Sequence, residues 1–479
     1  MGLPEDDLPP GIFRAYDIRG IVGSELSEAT FERLGRAVAE EARSRGVVRL
    51  VLGRDGRLSS AALAEALARG AAGAGVEVLD AGQVPTPVLY FAAHAYADGS
   101  GMMVTGSHNP PEYNGLKVML QGVTLAEDAI QGLRARALAA DLAAESAASA
   151  PPAASPDVRL GCTPIPDYIA RVCADVQLAR PLRVVLDCGH GAGAWVAPDL
   201  LRALGCEVYP LNCTVDGRFP GHAPDPSQPE NLRELVAAVT ARRADLGLAL
   251  DGDADRLNVV DSAGKIRWPD HQLLVLARDI LARHPGGQVI YDVKSSGDIA
   301  PAVRGWGGRA LMWRSGHSLL KAKLQETGAV LAGELSGHLF LADRWYGFDD
   351  ALYAAARLLE IVSRAPTPLA AFEWLPQRAA TPELRVPLPE GQGRAWMARL
   401  VLAPPPSEGD LTTLDGVRVD YAEGFALLRA SNTLPCLTLR FEGRDAAALA
   451  RVQQQFKAWV APVLPTLAWP VLTEEDEAL

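Results

Sequence analysis

Short apolar segments alternate with amphipathic helical stretches from the start of the chain to about residue 364, and this alternation constrains the fold most. The apolar runs Arg49–Arg54 and Leu246–Leu250 have the length of strands, whereas Glu28–Ser44 and Ser60–Gly73 have helical periodicity. Strands that alternate with helices form layers in which helices cover a sheet. The pattern therefore predicts an α/β fold.

Several predicted strands end at an acidic residue that begins a loop. The segments are GRDGR from Gly53, LDCGHG from Leu186, LDGDAD from Leu250 and YDVKSS from Tyr291. Open α/β sheets bind ligands beside the carboxyl ends of their strands, so the recurrence favours a repeated unit with loops gathered at one cleft. Asp and Gly are also common in ordinary turns, and the residues alone support both interpretations equally.

The length of 479 residues predicts three or four domains. Ala143–Pro156 is rich in Ala, Ser and Pro, which is typical of a linker or an exposed connecting arm. Beyond the proline-rich stretch Pro382–Pro389, strand-like runs precede one helix, which is an α+β pattern. The predicted domains are 1–150, 151–260, 261–372 and 373–479.

Composition and charge restrict the classes of partner that we expect for this chain. The formal net charge is −12 and no long basic run occurs, which argues against a nucleic-acid partner. The N-terminus MGLPEDDLPP does not resemble a signal peptide, and no apolar run is long enough to span a membrane, so we expect a cytoplasmic protein without a membrane partner. Six cysteines without a C-x-x-C pair favour buried, reduced thiols.

The loop TGSHNP, Thr105 to Pro110, follows a predicted strand. Gly106 permits a close backbone approach, and the prolines stiffen the exit. Ser107 is a weak nucleophile as a hydroxyl, but as a phosphoserine it is already a phosphoryl donor. His108 can exchange protons near neutral pH. Taken alone, the loop is explained better as a polar turn than as a nucleophile, and only the other motifs of the chain reverse that order.

The segment DGDADR, Asp251 to Arg256, is the most specific local signal. Carboxylates at alternate positions of an extended segment project to one side, which predicts that Asp251, Asp253 and Asp255 converge. Clustered oxygens suit a hard cation such as Mg²⁺. Three carboxylates this close repel one another, so a cation or Arg256 is needed to keep them ionised.

Two further loops are weaker signals. In GELSGH, Glu334 and Ser336 can accept from and donate to vicinal sugar hydroxyls. In RASNT, Arg429 and its hydroxyl and amide neighbours can cradle a phosphate. Single basic and histidine candidates are Arg19, Lys117, Lys294 and His317, each equally explained as a solvated surface group.

Taken in order, the motifs resemble those of the α-D-phosphohexomutases, in particular the bacterial phosphomannomutase/phosphoglucomutase branch. The motifs run from Phe13 to about Thr433 and are FRAYDIRG, GRDGRLSS, TGSHNP, DGDADR, DVKSS, SGHSLLK, GELSGH and EGFALLRASNT. The resemblance implies three related α/β domains with mixed sheets and a smaller C-terminal α+β domain, arranged around a central active-site cleft.

The resemblance also implies residue roles. Catalytic residues are expected at Ser107, His108, Lys117, Arg256 and His317. Metal ligands are expected at Ser107, Asp251, Asp253 and Asp255. Substrate contacts are expected at Tyr16, Arg19, Lys294, Glu334, Ser336, His338, Arg429, Ser431, Asn432 and Thr433. The expected cofactor is Mg²⁺, with glucose 1,6-bisphosphate or mannose 1,6-bisphosphate as activator.

The implied reaction moves a phosphoryl group between C1 and C6 of mannose or glucose phosphates through phosphorylated Ser107. The expected partners are hexose phosphates, and the chain is expected to be a monomer or homodimer. Alternatives are phosphoglucosamine mutase or another sugar-phosphate specificity, a metal-dependent sugar phosphatase, and a non-catalytic sugar-phosphate sensor.

Overall fold

The computed structural model describes residues 8–146, 159–389, 391–431 and 435–470. Four sheets, flanked by helices, follow one another along the chain. Within these ranges no helix combines the length and apolar character that a membrane crossing needs.

The first sheet has the strand order β1-β5-β4-β2-β3-β7, with β6 paired to β5. Its strands are β1 (Ile18–Ile21), β2 (Arg49–Arg54), β3 (Glu77–Gln83), β4 (Gly101–Val104), β5 (Tyr113–Leu120), β6 (Val123–Thr124) and β7 (Arg159–Gly161). Its helices are α1 (Glu28–Ser44), α2 (Ser60–Gly73), α3 (Thr86–Tyr96) and α4 (Asp128–Ser146), after a 3₁₀ turn at Pro10–Ile12. Because β7 pairs with β3, this sheet extends past the boundary predicted at residue 150.

The second sheet has the order β12-β11-β10-β8-β9. Its strands are β8 (Arg183–Asp187), β9 (Glu207–Leu211), β10 (Leu246–Leu250), β11 (Leu257–Asp261) and β12 (Ile266–Arg267). The helices of this part are α5 (Pro164–Asp175), α6 (Ala197–Ala203) and α7 (Arg233–Arg242), with 3₁₀ turns at Ala192–Trp195 and Pro229–Leu232. The buried strand β10 carries the aspartate loop at its end.

The third sheet has the order β14-β13-β15-β16. Its strands are β13 (Gln288–Asp292), β14 (Arg309–Trp313), β15 (Leu331–Gly333) and β16 (Leu339–Leu341). Its helices are α8 (Pro269–Arg283), α9 (Ile299–Gly305), α10 (His317–Thr327) and α11 (Ala351–Arg364), followed by a 3₁₀ turn at Leu369–Ala371. Helix α11 begins at an N-cap, Asp350, whose side chain accepts from the Tyr353 N–H.

The fourth sheet is antiparallel, with the order β17-β22-β21-β20-β19 and β18 beside β22. Its strands are β17 (Ala379–Ala380), β18 (Leu384–Pro387), β19 (Asp410–Thr412), β20 (Val417–Tyr421), β21 (Gly424–Ala430) and β22 (Cys436–Gly443). Its helices are α12 (Gln392–Val401) and α13 (Ala446–Val460). The α+β character predicted for the tail is confirmed.

The first three sheets share a four-strand order. The matching sets are β3-β2-β4-β5, β9-β8-β10-β11 and β14-β13-β15-β16. In each set the first three strands are parallel and the fourth is antiparallel. The prediction of three related α/β domains with mixed sheets is therefore confirmed, and equivalent loops lie at the same end of each sheet.

The first three domains pack into one continuous apolar core, whereas the fourth has its own. At one junction Phe91 of α3 packs edge-on against Tyr168 of α5, with ring centroids 5.5 Å apart. Trp345, between β16 and α11, lies 5.9 Å from the same tyrosine ring. The first three domains thus share one apolar cluster, and a smaller cluster of Val293, Phe425 and Leu427 joins the fourth domain to the third.

Candidate active site

Three predicted functional loops occupy the same connection in the three related domains. The loop with Ser107 joins β4 to β5, Asp251–Arg256 joins β10 to β11, and Glu334–His338 joins β15 to β16. Each is the turn between the third strand of a set and its antiparallel neighbour. The shared topology therefore explains why three motifs far apart in sequence meet at one place.

Ser107 lies at the centre of this meeting point. Its side chain is buried, and its Oγ donates to Asp251 Oδ2 at 2.9 Å. The same Oγ lies 3.2 Å from His108 Nδ1. Its backbone is left-handed, with φ of 48°, a strained conformation for a residue with a side chain. The strained backbone of this loop therefore directs the Ser107 hydroxyl at Asp251.

Arg57, which the sequence analysis did not select, shapes the serine loop. Its side chain is buried and donates to the carbonyls of Ser107 and Asn109 at 2.7 and 2.6 Å. It also donates to the carbonyls of Pro110 and Tyr113. These acceptors are backbone atoms brought together by folding, so the only sequence signal was its place in GRDGR.

Gly106 is required by the same contact. A Cβ added to Gly106 would lie 2.3 Å from Arg57 Nε. The expectation that this glycine permits a close approach is confirmed, and the approaching group is the guanidinium. Asp55 supports the turn from the other side by accepting from Thr105 Oγ1 at 2.8 Å and from the Gly106 N–H at 3.1 Å.

The three aspartates converge, although not by the route predicted. Oxygens of Asp251, Asp253 and Asp255 lie within 4.8 Å of one another, and all three residues are buried. The segment is a turn rather than an extended strand, because Ala254 has a φ of 60°. The N–H groups of Asp255 and Arg256 donate to Asp251 Oδ1 at 3.0 and 3.1 Å, which closes the turn.

Lys117, on β5, binds two of these carboxylates. Its Nζ donates to Asp253 Oδ2 at 2.8 Å and to Asp255 Oδ2. Burial alone would lower the pKa of Lys117, but these carboxylates outweigh it and raise the pKa well above its usual value. In this arrangement the ammonium neutralises part of the charge of the aspartate turn.

The aspartate turn fits a divalent cation. Asp253 Oδ1 and Asp255 Oδ1 are buried and have no hydrogen-bond partner, and the turn supplies hard oxygen donors. Three carboxylates face the Lys117 ammonium and the Arg256 guanidinium, which leaves one negative charge to be compensated. Burial and repulsion from Asp255 and Asp253 raise the pKa of Asp251 well above its usual value, so a cation is what would keep it ionised.

Two histidines face a carboxylate that the sequence analysis missed. The rings of His317 and His338 stack with centroids 5.3 Å apart. Asp349 Oδ2 lies 3.4 Å from His317 Nδ1 and 3.3 Å from His338 Nδ1. Lys321 donates to the other oxygen of Asp349 at 2.7 Å. Burial opposes ionisation, but Lys321 and the histidines hold the pKa of Asp349 well below its usual range.

His338 links the Asp349 group to the loop Asp251–Arg256, which carries the three aspartates. Arg256 Nε donates to His338 Nε2 at 3.1 Å. Its Nδ1 also lies 3.6 Å from Asp255 Oδ1. Burial lowers the pKa of His317, and burial with Arg256 and Arg19 places that of His108 well below its usual range. Both imidazoles are therefore neutral near pH 7 and can accept protons.

Hydrogen bonds hold the side chains of the loop between β15 and β16, which was expected to contact the sugar and is called the sugar loop. Glu334 is buried and its Oε1 accepts from the Gly316 N–H at 2.6 Å. Ser336 Oγ donates to Glu334 Oε2 at 3.2 Å. Burial alone would raise the pKa of Glu334, but His338 and Lys294 outweigh it, so the carboxyl is ionised and available as an acceptor.

The predicted phosphate contacts come from the third and fourth domains. Arg429 is buried and pairs with Asp415 at 3.1 Å, while Lys294 lies 3.3 Å from Glu383. Ser431 lines the same cleft. Two further predicted contacts, Asn432 and Thr433, lie outside the described residues.

Two residues of the N-terminal motif FRAYDIRG, Tyr16 and Arg19, contact the loops that form the site. The Tyr16 hydroxyl donates to the Ser315 carbonyl at 2.7 Å. Arg19 donates to Asn109 Oδ1 at 2.8 Å and also to the Gly106 carbonyl and Asp17. Arg19 therefore braces the serine loop, whereas Tyr16 lies at the cleft wall.

These residues surround a cleft of about 280 Å³ to which all four domains contribute. The predicted residues that line it are Tyr16, His108, Arg256, Lys294, His317, Glu334, Ser336, His338, Arg429 and Ser431. The buried set beneath His108 consists of Ser107, Lys117, Asp251, Asp253 and Asp255. The expectation of a central cleft is confirmed.

Four family models match consecutive parts of the chain. They describe the α/β/α domains I, II and III and the C-terminal domain of phosphoglucomutase/phosphomannomutase, and they match residues 10–144, 166–264, 268–375 and 383–458. The chain belongs to the phosphoglucomutase/phosphomannomutase family. The resemblance recognised from the motifs is thereby confirmed.

Relatives of this family member are similar over nearly their whole length. Phosphomannomutase/phosphoglucomutase of Pseudomonas aeruginosa is 46% identical over 97% of this chain and 98% of its own. Phosphoglucomutase of Neisseria gonorrhoeae is 48% identical over 96% and 98%. A crystal structure of a phosphoglucomutase/phosphomannomutase family protein from Burkholderia thailandensis matches with a TM-score of 0.90 and 44% identity, covering 97% of this chain and 100% of that one.

Proposed function

We propose that this protein interconverts hexose 1-phosphates and hexose 6-phosphates, with glucose and mannose as the sugars, through a phosphoserine at Ser107. The observation that carries the proposal is the 2.9 Å contact between Ser107 Oγ and Asp251 in a buried turn that still has two unpartnered carboxylate oxygens. Relatives named phosphomannomutase/phosphoglucomutase and phosphoglucomutase support this substrate class.

The proposed metal is Mg²⁺, bound by Asp251, Asp253, Asp255 and a phosphate oxygen on Ser107. Its charge would stabilise negative charge on the transferred phosphoryl group. Lys117 binds Asp253 and Asp255 and holds both side chains in place. Arg57 and Arg19 hold the serine loop by its carbonyls, so that the phosphoserine presents one face to the cleft.

Proton exchange with the sugar hydroxyl is assigned to the histidine group. His338 has Nδ1 against Asp349 and Nε2 as an acceptor, which is the arrangement of a general base. His108, His317 and Arg256 supply further proton exchange and charge around the same point. Neutral imidazoles suit a step in which the hydroxyl loses its proton as it attacks phosphorus.

Reversibility requires the sugar bisphosphate intermediate to bind in two orientations. Glu334 and Ser336 would read the ring hydroxyls, which are similar in both orientations. Arg429, Lys294 and Ser431 would hold whichever phosphate is not reacting. A hexose 1,6-bisphosphate would then also serve as the activator that phosphorylates Ser107.

A phosphate-migration assay on glucose 1-phosphate and mannose 1-phosphate tests the proposal. We expect turnover of both sugars, with little release of inorganic phosphate. Ser107→Ala should lose at least about three orders of magnitude in kcat, because the covalent relay is gone. Ser44→Ala, on the exposed end of α1, is the control and should retain full activity.

The alternatives give different outcomes. Dominant release of inorganic phosphate would indicate a sugar phosphatase, and tight binding without turnover in the presence of Mg²⁺ and a hexose bisphosphate would indicate a sensor. Preference for glucosamine phosphates would move the protein to another specificity class. Unchanged activity in Ser107→Ala would remove the serine relay altogether.

A further inference from the structure

Two cysteines form a close pair behind the metal loop. Cys188 follows β8 and Cys213 follows β9, and their Sγ atoms lie 3.0 Å apart. Cys188 is fully buried, whereas Cys213 is partly exposed. Both are free thiols in this structure. Neither belongs to the cleft or to the machinery proposed for phosphoryl transfer.

The backbone already holds the two loops together. Strands β8 and β9 pair in parallel up to Asp187 and Leu211. Beyond that point the Cys188 N–H donates to the Leu211 carbonyl at 3.2 Å, and the His190 N–H donates to the Asn212 carbonyl at 2.8 Å. A disulfide has an S–S length of about 2.05 Å, so the sulfurs need to approach by only about 1 Å.

We propose that Cys188 and Cys213 form a reversible disulfide when the protein meets a peroxide. The partly exposed Cys213 thiolate attacks the peroxide, forming an S–O bond and breaking the O–O bond, and water leaves. Cys188 then attacks the sulfenic sulfur of Cys213, forming the S–S bond as a second water leaves. Two thiols and one hydrogen peroxide thus give one disulfide and two waters, and a dithiol reductant reverses the reaction.

The order of attack follows from access. Cys213 is partly exposed and meets the peroxide first, whereas Cys188 is buried, burial raises its pKa well above its usual value, and it loses its proton only as it attacks the sulfenic sulfur and the S–O bond breaks. The remaining four cysteines have no second thiol in contact among the described hydrogen bonds. Among the described residues, the side-chain groups close enough to hold a metal ion include neither Cys188 nor Cys213.

The location gives the bond a mechanical effect. The loop after β8 continues to Ala192, whose N–H donates to the Gly252 carbonyl of the metal loop at 2.8 Å. A Cβ on Gly191 would lie 2.5 Å from that same carbonyl oxygen. A disulfide would therefore restrain the loop after β8, which packs against the backbone of Gly252 between Asp251 and Asp253. We expect oxidation to raise Tm for this reason.

The test treats the full-length protein with stoichiometric hydrogen peroxide, alkylates the remaining thiols and maps the peptides by mass. We expect two of the six thiols to be lost, with the Cys188 and Cys213 peptides joined and lighter by two hydrogens. Dithiothreitol should restore both thiols and the original Tm. Equal alkylation of both cysteines before and after peroxide would overturn the proposal, as would a crosslink to another cysteine.

Variants separate this pair from general oxidation. In Cys188→Ser we expect Cys213 to accumulate a sulfenic acid that dimedone traps, while the wild type traps little. Cys213→Ser, at the partly exposed position, should fold normally and show no peroxide-dependent Tm increase. Cys206→Ser is the matched buried control and should crosslink as the wild type does. Crosslinking at wild-type level in Cys213→Ser would exclude the assignment.

Discussion

Arg57 shows how a single buried cation can control a reactive loop without contacting substrate. Its guanidinium donates to four carbonyls between Ser107 and Tyr113, at distances from 2.5 to 3.0 Å. A planar fork with five donors matches this arrangement, whereas an ammonium has three donors at one point. The geometry of the serine loop therefore depends on the shape of this side chain as well as its charge.

Arg57→Lys is expected to lower kcat about 10- to 100-fold, because a displacement of about 1 Å at Ser107 misaligns the phosphoryl group. The measurement is the steady-state rate on glucose 1-phosphate, with KM determined in the same series. Arg69→Lys is the control, since the Arg69 side chain is 46% exposed and pairs with Glu32 at the surface. A kcat equal to wild type would show that the carbonyl contacts are dispensable.

Asp253→Asn tests the metal assignment. Asp253 Oδ1 has no hydrogen-bond partner, so the oxygen is free for a cation, and the amide removes one of the negative charges. We expect the half-saturating Mg²⁺ concentration to rise at least about tenfold. Titration calorimetry with Mg²⁺ checks binding independently of activity. Asp199→Asn, on the exposed start of α6, is the control, and equal Mg²⁺ affinity in both variants would contradict the assignment.

The sequence was informative about residues whose own side chains carry the chemistry. Ser107 and the aspartates were recognisable because a hydroxyl and three carboxylates in fixed loops have few other uses together. Arg57 and Asp349 were not, because their partners are carbonyls and imidazoles that only the tertiary fold brings near. Lys117 was selected for its charge, but its partners could not be read from the sequence.

At the scale of elements, the repeated four-strand set explains the layout of the site. The acidic residues Asp55, Asp187 and Asp292 end or follow the second strand of each set, which is β2, β8 or β13. Asp55 supports the serine loop, and Asp292 accepts from the Leu335 N–H of the sugar loop at 3.3 Å. The strand-end acids Asp55 and Asp292 are therefore buried supports for neighbouring loops, whereas the loop Asp251–Asp255 carries the proposed metal ligands.

Periodicity predicted regular elements well and turns poorly. Helices α1 and α2 and strands β2 and β10 have the predicted bounds, because apolar spacing reports directly which face is buried. The aspartate segment was predicted as extended but is a turn closed by its own side chain, since Asp251 accepts from two following N–H groups. Local side-chain to backbone bonds of this kind leave no periodic signal.

The pair formed by Asp187 and His222 predicts that the free energy of unfolding depends on pH. His222 Nε2 lies 3.0 Å from Asp187 Oδ2, and this hydrogen bond, against the opposing effect of burial, raises the pKa of His222. A histidine with a raised folded-state pKa contributes stability that is complete below its unfolded value of about 6.5 and is lost as pH rises through the folded value. The contribution is therefore present at pH 6 and absent at pH 9.

His222→Gln should accordingly lower Tm more at pH 6 than at pH 9. A partly exposed pair contributes at most about 1 kcal/mol, so we expect a difference of about 1 °C in a chain of this size. Scanning fluorimetry at the two pH values measures it, with wild type at each pH as reference. Equal Tm losses at both pH values would mean that the pair has no ionic component.

At the scale of the whole molecule, the loop after β13 is one of several segments of the third domain that contact the fourth, beside Asp270 and Ser315. Arg418 of β20 is buried and donates to the carbonyls of Val293 and Ser295 at 2.7 and 2.8 Å. Glu442 of β22 accepts from the Gly297 N–H at 3.0 Å. The same loop carries Lys294, whose side chain lines the cleft. Domain attachment and phosphate binding therefore share one segment.

This arrangement links closure of the cleft to substrate capture. The fourth domain has its own core, so it can move as a unit, and the proposed relay requires that water be excluded while Ser107 carries the phosphoryl group. Arg418 also stacks on Phe425, with its guanidinium carbon 3.7 Å from the ring centroid. Weakening the hydrogen bonds from Arg418 to the Val293 and Ser295 carbonyls should favour an open cleft and leave the serine and aspartate loops intact.

Arg418→Gln is therefore expected to raise KM for hexose phosphates about tenfold while lowering kcat less, because the reacting groups stay in place once substrate is bound. Amides of 293–297 should exchange hydrogen faster, and those of the β10–β11 turn should not. Arg444→Gln, whose side chain is 62% exposed and pairs with Glu423 within the fourth domain, is the matched control. Unchanged exchange at 293–297 in Arg418→Gln would mean that these carbonyl contacts do not hold the domains together, and a fall in kcat without a rise in KM would place Arg418 in support of the chemistry instead.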